Sequence, residues 1–260
     1  MGAESTAAVA EAPAAHVDIA GNGPAVLLLH GWGASAELMA PVAAALGDKH
    51  RCIAPDFPGF GATATPDVAW GVDDYVRWTL ALLDRLGVDS VDVVAHSHGA
   101  RVAMKLAVAA PSRVGKLVLT GAAGIRVPPT PRQRVKRRVF RVGRTLATTP
   151  AVPTPLRRRL QTWSERQGSV DYRAATGVMR ATLVKVVNED LRPLFARIAA
   201  PTLLVWGDAD AETPLAWGRI MESEIPDAGL VILEGGSHFA YLEQGQHFSH
   251  IVATFLGDIA

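Results

Sequence analysis

The stretch Val91-Asp92-Val93-Val94-Ala95-His96-Ser97-His98-Gly99-Ala100-Arg101 decides how the rest of the chain is read. Its first five residues form an apolar run suited to a strand, and the segment Arg101 to Ala110 is helix-like, stopped by Pro111. A strand that feeds a helix through a tight turn holds a serine in a strained, exposed position above a sheet. The first amides of the helix then point at the same spot. Small residues are needed on both sides of Ser97 because the two backbones approach closely. Gly99 meets that need. Ala95 stands where glycine is usual, and it fits if its own φ is negative. Taken alone, Ser97 reads equally well as a plain N-cap.

A serine hydroxyl is a poor nucleophile at neutral pH and needs a base, which in turn needs an orienting carboxylate. Downstream, Thr202-Leu203-Leu204-Val205-Trp206 reads as a buried strand leading into Gly207-Asp208-Ala209-Asp210-Ala211-Glu212-Thr213-Pro214. A second strand, Leu230 to Leu233, runs into Glu234-Gly235-Gly236-Ser237-His238. An acid and a histidine thus each follow a strand, in the order Ser, Asp, His expected of a serine hydrolase on a doubly wound sheet. Asp208, Asp210 and Glu212 compete for the acid. Among the histidines, His247 and His250 fall in a C-terminal helical pattern and His96 adjoins the serine; only His238 occupies a glycine-rich loop after a strand. Upstream, Val26 to Leu29 ends in His30-Gly31-Trp32-Gly33, a glycine-bracketed loop able to aim a backbone N–H at a developing oxyanion. Cys52-Ile53-Ala54-Pro55 leads into Asp56-Phe57-Pro58-Gly59-Phe60-Gly61.

From about His16 onward, these pieces in this order resemble the α/β-hydrolase superfamily. The resemblance implies an α/β fold, a doubly wound and mostly parallel sheet with an inserted helical lid. It implies Ser97 as nucleophile, His238 as base and Asp210 as acid, the spacing to Pro214 selecting Asp210. It also implies an oxyanion hole made by the amides of Trp32 and His98. Within the superfamily the chain looks like the lid-bearing esterase and carbon–carbon hydrolase branch. Haloalkane dehalogenases and epoxide hydrolases use an aspartate nucleophile, so Ser97 argues against both. The triad chemistry needs no cofactor, and the sequence has no evident metal cluster, nucleotide loop or redox motif.

Strands alternate with helical stretches along the chain, implying parallel pairing with right-handed crossovers. His16 to Ala20 reads as a first strand, Ala36 to Leu46 as a helix, and Asp73-Asp74 as the opening of another. The alternation breaks over residues 124–198, too long for one crossover. The expected organisation is a disordered tail at 1–15, a core formed by 16–123 and 199–260, and a helical, basic cap at 124–198. In the cap, Val135, Val139, Val142 and Leu146 share a helical face, and Ser169 caps a helix carrying Tyr172, Met179, Leu183 and Val187. The cap holds 17 of the 26 Lys and Arg residues and 4 of the 25 acidic ones, so it carries +13 and the remainder −12. A solvated polar face explains this most simply. Attraction of anionic substrates or a weak contact with anionic membranes are the functional readings. No nucleic-acid-binding module accompanies the charge.

Hydrophobic content of 49% and charged content of 20% read as soluble and globular, and 260 residues fit one α/β domain with an insertion. The single cysteine, Cys52, excludes an internal disulfide and reads as structural. The first residues lack the pattern of a signal peptide, and Met1 to Thr6 formally match a myristoylation pattern. A cytoplasmic protein is the default expectation, and no apolar run is long enough to span a bilayer. His30 is expected as a structural hydrogen-bonding residue, Asp56 as the holder of its Pro-Gly loop. Trp32, His98 and Trp163 are candidate substrate contacts. The expected activity is hydrolysis of a small-molecule ester or related acyl compound. The alternatives are carbon–carbon cleavage in vinylogous diketone acids and a non-catalytic receptor on the same fold. Lid arginines pointing into the pocket would favour the carbon–carbon hydrolase.

Overall fold

The computed structural model describes residues 13–126, 131–149, 151–165 and 169–257. Seven strands among them form one sheet: β1 (Val17–Ala20), β2 (Ala25–Leu29), β3 (Arg51–Pro55), β4 (Val91–His96), β5 (Val114–Thr120), β6 (Thr202–Gly207) and β7 (Ala228–Leu233). Their order is β1-β3-β2-β4-β5-β6-β7. Only the edge strand β1 runs antiparallel, pairing from Val17 opposite Pro55 to Ala20 opposite Cys52.

Strands buried on both faces read as continuous apolar runs, as β2, β4 and β6 do. Alternate residues feed two cores. Leu27, Leu29, Val93, Ala95, Leu119 and Trp206 face one; Val26, Leu28, Val94, Val118 and Val205 face the other. The first core is covered by α2 (Val72–Arg85) and α3 (His98–Ala109), the second by α1 (Ala40–Leu46) and, at the chain's end, a helix containing Phe248 and Val252. Each leucine buried this way contributes about 1.5–3 kcal/mol. The chain leaves β2 toward β3 on one side and returns to β4 on the other. That reversal opens a crevice at the strands' C-terminal ends, where the β2 loop and the β4–α3 turn diverge.

Between β5 and β6 lie α4 (Pro131–Thr148), α5 (Thr154–Glu165), α6 (Val170–Ala174) and α7 (Gly177–Asn188). After β6 come α8 (Leu215–Glu224), α9 (Ala240–Glu243) and α10 (Gly245–Leu256). Helix α7 is tied to the rest of the molecule by Trp70 N–H donating to Thr182 Oγ1 at 3.1 Å. Within 124–198, Leu191, Phe195 and Ile198 are buried in the α2–α3 core, and Leu191 N–H donates to Gly124 O at 2.8 Å.

Two expected helices are broken. The stretch Ala36 to Leu46 is a 3-10 turn, Ala36–Met39, followed by α1, because Pro41 sits in the first turn and starts a fresh helix. Ser169 Oγ accepts from Tyr172 N–H at 3.2 Å as a cap should, but that helix ends at Ala174. Ala175 and Thr176 are extended, and α7 restarts at Gly177 with φ +49°. Of the expected tail, residues 1–12 lie outside the described residues, and so does the myristoylation pattern. Pro13 is anchored, its carbonyl accepting from Trp78 Nε1 at 3.1 Å. No helix among the described residues is long and apolar enough to cross a membrane.

Candidate active site

Ser97 sits between β4 and α3 with φ +51°, the only positive φ at a non-glycine among the described residues. Such a conformation is strained for an L-residue and persists only when its surroundings hold it. Here Ser97 N–H donates to Thr120 O at 3.1 Å, and Ser97 O accepts from Ala123 N–H at 3.4 Å. Gly99 is obligatory for the turn, since a Cβ there would run into the carbonyl groups of Leu29 and His30. Ala95 is an ordinary buried strand residue, opposite Leu29 and Leu119, with no positive φ. The missing glycine at that position therefore leaves the turn intact.

His238 follows β7, and its Nδ1 lies 2.9 Å from Asp210 Oδ2. Asp210 is held in turn: its Oδ1 accepts from the N–H groups of Glu212 and Thr213, both at 2.8 Å, and its Oδ2 from Thr213 Oγ1 at 2.7 Å. Burial by itself pushes the Asp210 carboxyl up, but the hydrogen bonds from His238 and Thr213 outweigh it and hold the pKa below the usual carboxylate value. With Asp210 ionised, Nδ1 of His238 carries the hydrogen and Nε2 is left toward the cavity. Nε2 faces Glu212 Oε2 at 3.6 Å, and no hydrogen bond joins it to Ser97 Oγ. Asp208 is occupied elsewhere: its Oδ1 accepts from Gly235 N–H at 2.7 Å. His247 and His250 lie in α10.

His96 supports the site from beneath. It is buried and neutral, its pKa lowered to about 3 chiefly by burial, and its Nε2 lies 3.0 Å from His238 O. His30 bridges two loops: its Nδ1 is 2.7 Å from Gly31 O and its Nε2 accepts from Phe57 N–H at 3.0 Å. Burial lowers its pKa to about 4. Asp56 accepts from Ala36 N–H at 2.7 Å and Ala62 N–H at 2.8 Å, which closes the Pro58–Gly61 turn. Cys52 is buried, and burial pushes its thiol up to about 11.

Ser97 and His238 line one cavity of about 390 Å³ together with Trp32 and His98. Trp32, Ile125, Leu183, Val186 and Trp217 supply apolar wall; Arg101, Arg126, Asp171 and Glu212 supply charge. The His98 ring packs among Trp32, Phe57 and Tyr75 at centroid distances of 5.5, 5.5 and 4.9 Å. Both its nitrogens are buried without a hydrogen-bond partner, and burial drives its pKa down to about 3. The side chain of Trp163 lies outside the described residues. No group of three or more His, Cys, Asp or Glu among the described residues could hold a metal ion.

Residues 24–244 match the family model described as the alpha/beta hydrolase fold. The chain belongs to the alpha/beta hydrolase fold family. It is similar to 2-hydroxy-6-oxo-6-phenylhexa-2,4-dienoate hydrolase of Burkholderia cepacia, 28% identical over 94% of this chain and 91% of that protein. It is also similar to haloalkane dehalogenase 2 of Mycobacterium bovis, 28% identical over 84% and 83% of the two chains. A solved hydrolase from Pseudomonas aeruginosa PA01 superposes with a TM-score of 0.72 at 26% identity, covering 94% of each chain.

Several residues of this alpha/beta hydrolase site escape a reading by motif. Thr213 braces both Asp210 and His238, its Oγ1 lying 3.3 Å from His238 Nδ1. Gly121, with φ +50°, lets the His238 ring approach: a Cβ there would stand 3.1 Å from its Nδ1. Arg101 is buried on the cavity wall, donates to Glu189 O at 3.0 Å, and has its pKa lowered to about 10 chiefly by burial. An arginine within the apolar run Ala100 to Ala110 was its one visible signal.

Proposed function

We propose that this alpha/beta hydrolase cleaves carboxylic esters or related acyl compounds through Ser97, His238 and Asp210. The observation that carries the reading is the 2.9 Å contact between His238 Nδ1 and ionised Asp210, beside a strained Ser97 in the same cavity. His238 Nε2 takes the Ser97 proton as Oγ attacks the carbonyl carbon. Asp210 fixes the imidazole tautomer and stabilises its protonated form. The N–H groups of Trp32 and His98 receive the oxyanion. His98 opens α3, so its N–H has no acceptor within the helix. A Cβ on Gly31, beside Trp32, would stand 3.4 Å from Ser97 Cβ, which supports placing that loop against the reacting carbonyl. An acyl-enzyme forms, and water activated by His238 releases the acid. Residues 124–198 act as a cap that excludes water and shapes the pocket. In the described geometry Nε2 has yet to turn from Glu212 to Ser97, a bond that tightens when substrate is bound.

The test is hydrolysis of p-nitrophenyl esters from acetate to palmitate by the protein and by Ser97→Ala. Turnover that depends on chain length and falls by on the order of 10⁴–10⁶ in the variant is expected. Ester turnover unchanged in Ser97→Ala would overturn the reading. A second reading, carbon–carbon hydrolysis of a vinylogous diketone acid, is favoured by Arg101 and Arg126 on the cavity wall, either able to meet a substrate carboxylate. The similarity to the Burkholderia cepacia dienoate hydrolase supports it as well. Under that reading Arg126→Gln raises KM for a carboxylate-bearing dienoate and leaves KM for neutral esters unchanged.

A further inference from the structure

Helix α4 carries seven Lys and Arg residues and no acid. Val135, Val139, Val142 and Leu146 recur at the spacing of one helical face, and they remain 63%, 56%, 53% and 42% exposed. Gly143 and Ala147, on the flank of the helix beside this stripe, are buried. Helices α4 and α5 pack on each other as a hairpin, and no other described element shares a comparable interface with either. By helical projection Arg132 and Arg138, both exposed, flank the apolar stripe on its two sides, with exposed Arg141 next to Arg138. A bare valine stripe on a monomer marks a surface meant to be covered.

We propose that this face of α4 docks on a membrane surface containing anionic phospholipid. The stripe enters the boundary between headgroups and acyl chains, and the flanking arginines meet lipid phosphates, with which guanidinium pairs in a bidentate fashion. Charge selects this occupant over a second copy of the chain. Two α4 helices face to face would crowd their arginines together, with no acidic residue on either helix to offset them. The cap thereby sits against the source of an acyl-lipid substrate, with Arg126 of the cavity wall shortly before α4 in the chain.

Vesicle flotation tests the proposal without reference to catalysis, so its outcome stands apart from that of the ester assay. The full chain is expected to float with phosphatidylcholine vesicles containing phosphatidylglycerol, but not with phosphatidylcholine alone, and to be released as salt rises. R132Q/R138Q/R141Q should weaken partitioning by about a hundredfold, at roughly fivefold per arginine. V135S/V139S/V142S/L146S should cease to float while keeping its circular dichroism spectrum; V139S alone, expected to float less, serves if the fourfold variant does not fold. Plain attraction to any polyanion would survive loss of the stripe, so unchanged flotation of the stripe variants overturns the proposal. Failure of the parent chain to float, equal flotation with neutral vesicles, or a solution dimer that the stripe variant dissociates overturns it too.

Discussion

Ser97 and His238 are legible in the sequence because each lies within a few residues of the end of an apolar run, and position after a strand is a local property. Thr213 is not, because its role exists only where the β6 and β7 loops converge: one hydroxyl lies within reach of both Asp210 and His238. Two predictions belong to this scale. Asp210→Asn keeps the shape of the loop but favours the wrong imidazole tautomer, and should lower kcat by about 10⁴ in the ester assay. His98→Phe removes two buried nitrogens that have no partner, each costing about 1–3 kcal/mol while unpaired. The aromatic cage of Trp32, Phe57 and Tyr75 can accept the larger ring, so the melting temperature should rise. If His98 contacts substrate, KM should increase for esters with a polar acyl chain and stay constant for alkyl esters. A fall in melting temperature would show that the imidazole is satisfied in solution.

At the scale of elements, the β4–α3 turn depends on a close approach more than on hydrogen bonds. Gly99→Ala forces a methyl group against the end of β2 and should destabilise the protein by about 1–3 kcal/mol, read from urea unfolding, with loss of ester turnover. Unaltered stability and turnover would mean that the turn is looser than described. Much of the sheet was legible: β2, β4, β6 and β7 follow from apolar runs and their flanking turns. What the sequence hid were interruptions within helical patterns. Apolar spacing from Tyr172 to Val187 continues across Ala175 and Thr176, although the backbone there is extended. Hydrophobic period reports which face is buried and says little about whether the helix is unbroken. Helix α8, which covers Trp206 and Leu230 near Gly218, lacked a pronounced period and was not anticipated. The end of the 124–198 segment was equally hidden, since Leu191, Phe195 and Ile198 belong to the main core although they follow the basic helices.

Across the whole molecule, positive charge is concentrated in 124–198, while three buried histidines, His30, His96 and His98, are neutral. His30, His96 and His98 are held at pKa values of about 4, 3 and 3 by burial, against an ordinary value of 6.5. The unfolded chain binds protons at these sites when the folded one does not. Their contribution to stability is therefore intact above about pH 6.5 and declines as pH falls from there toward 3–4. Depressed Asp210 adds to the loss only at lower pH, below the ordinary carboxylate range. Thermal unfolding followed from about pH 8 to about pH 5 should show a steadily falling midpoint below about pH 6.5; a flat profile would mean that the three imidazoles are solvated in the folded protein. Labelling with a fluorophosphonate, followed by peptide mapping, reads the nucleophile directly. A phosphonyl group on Ser97 is expected, acquired far more slowly in Asp210→Asn. A label on another residue, or none on a folded protein, would contradict Ser97 as the nucleophile.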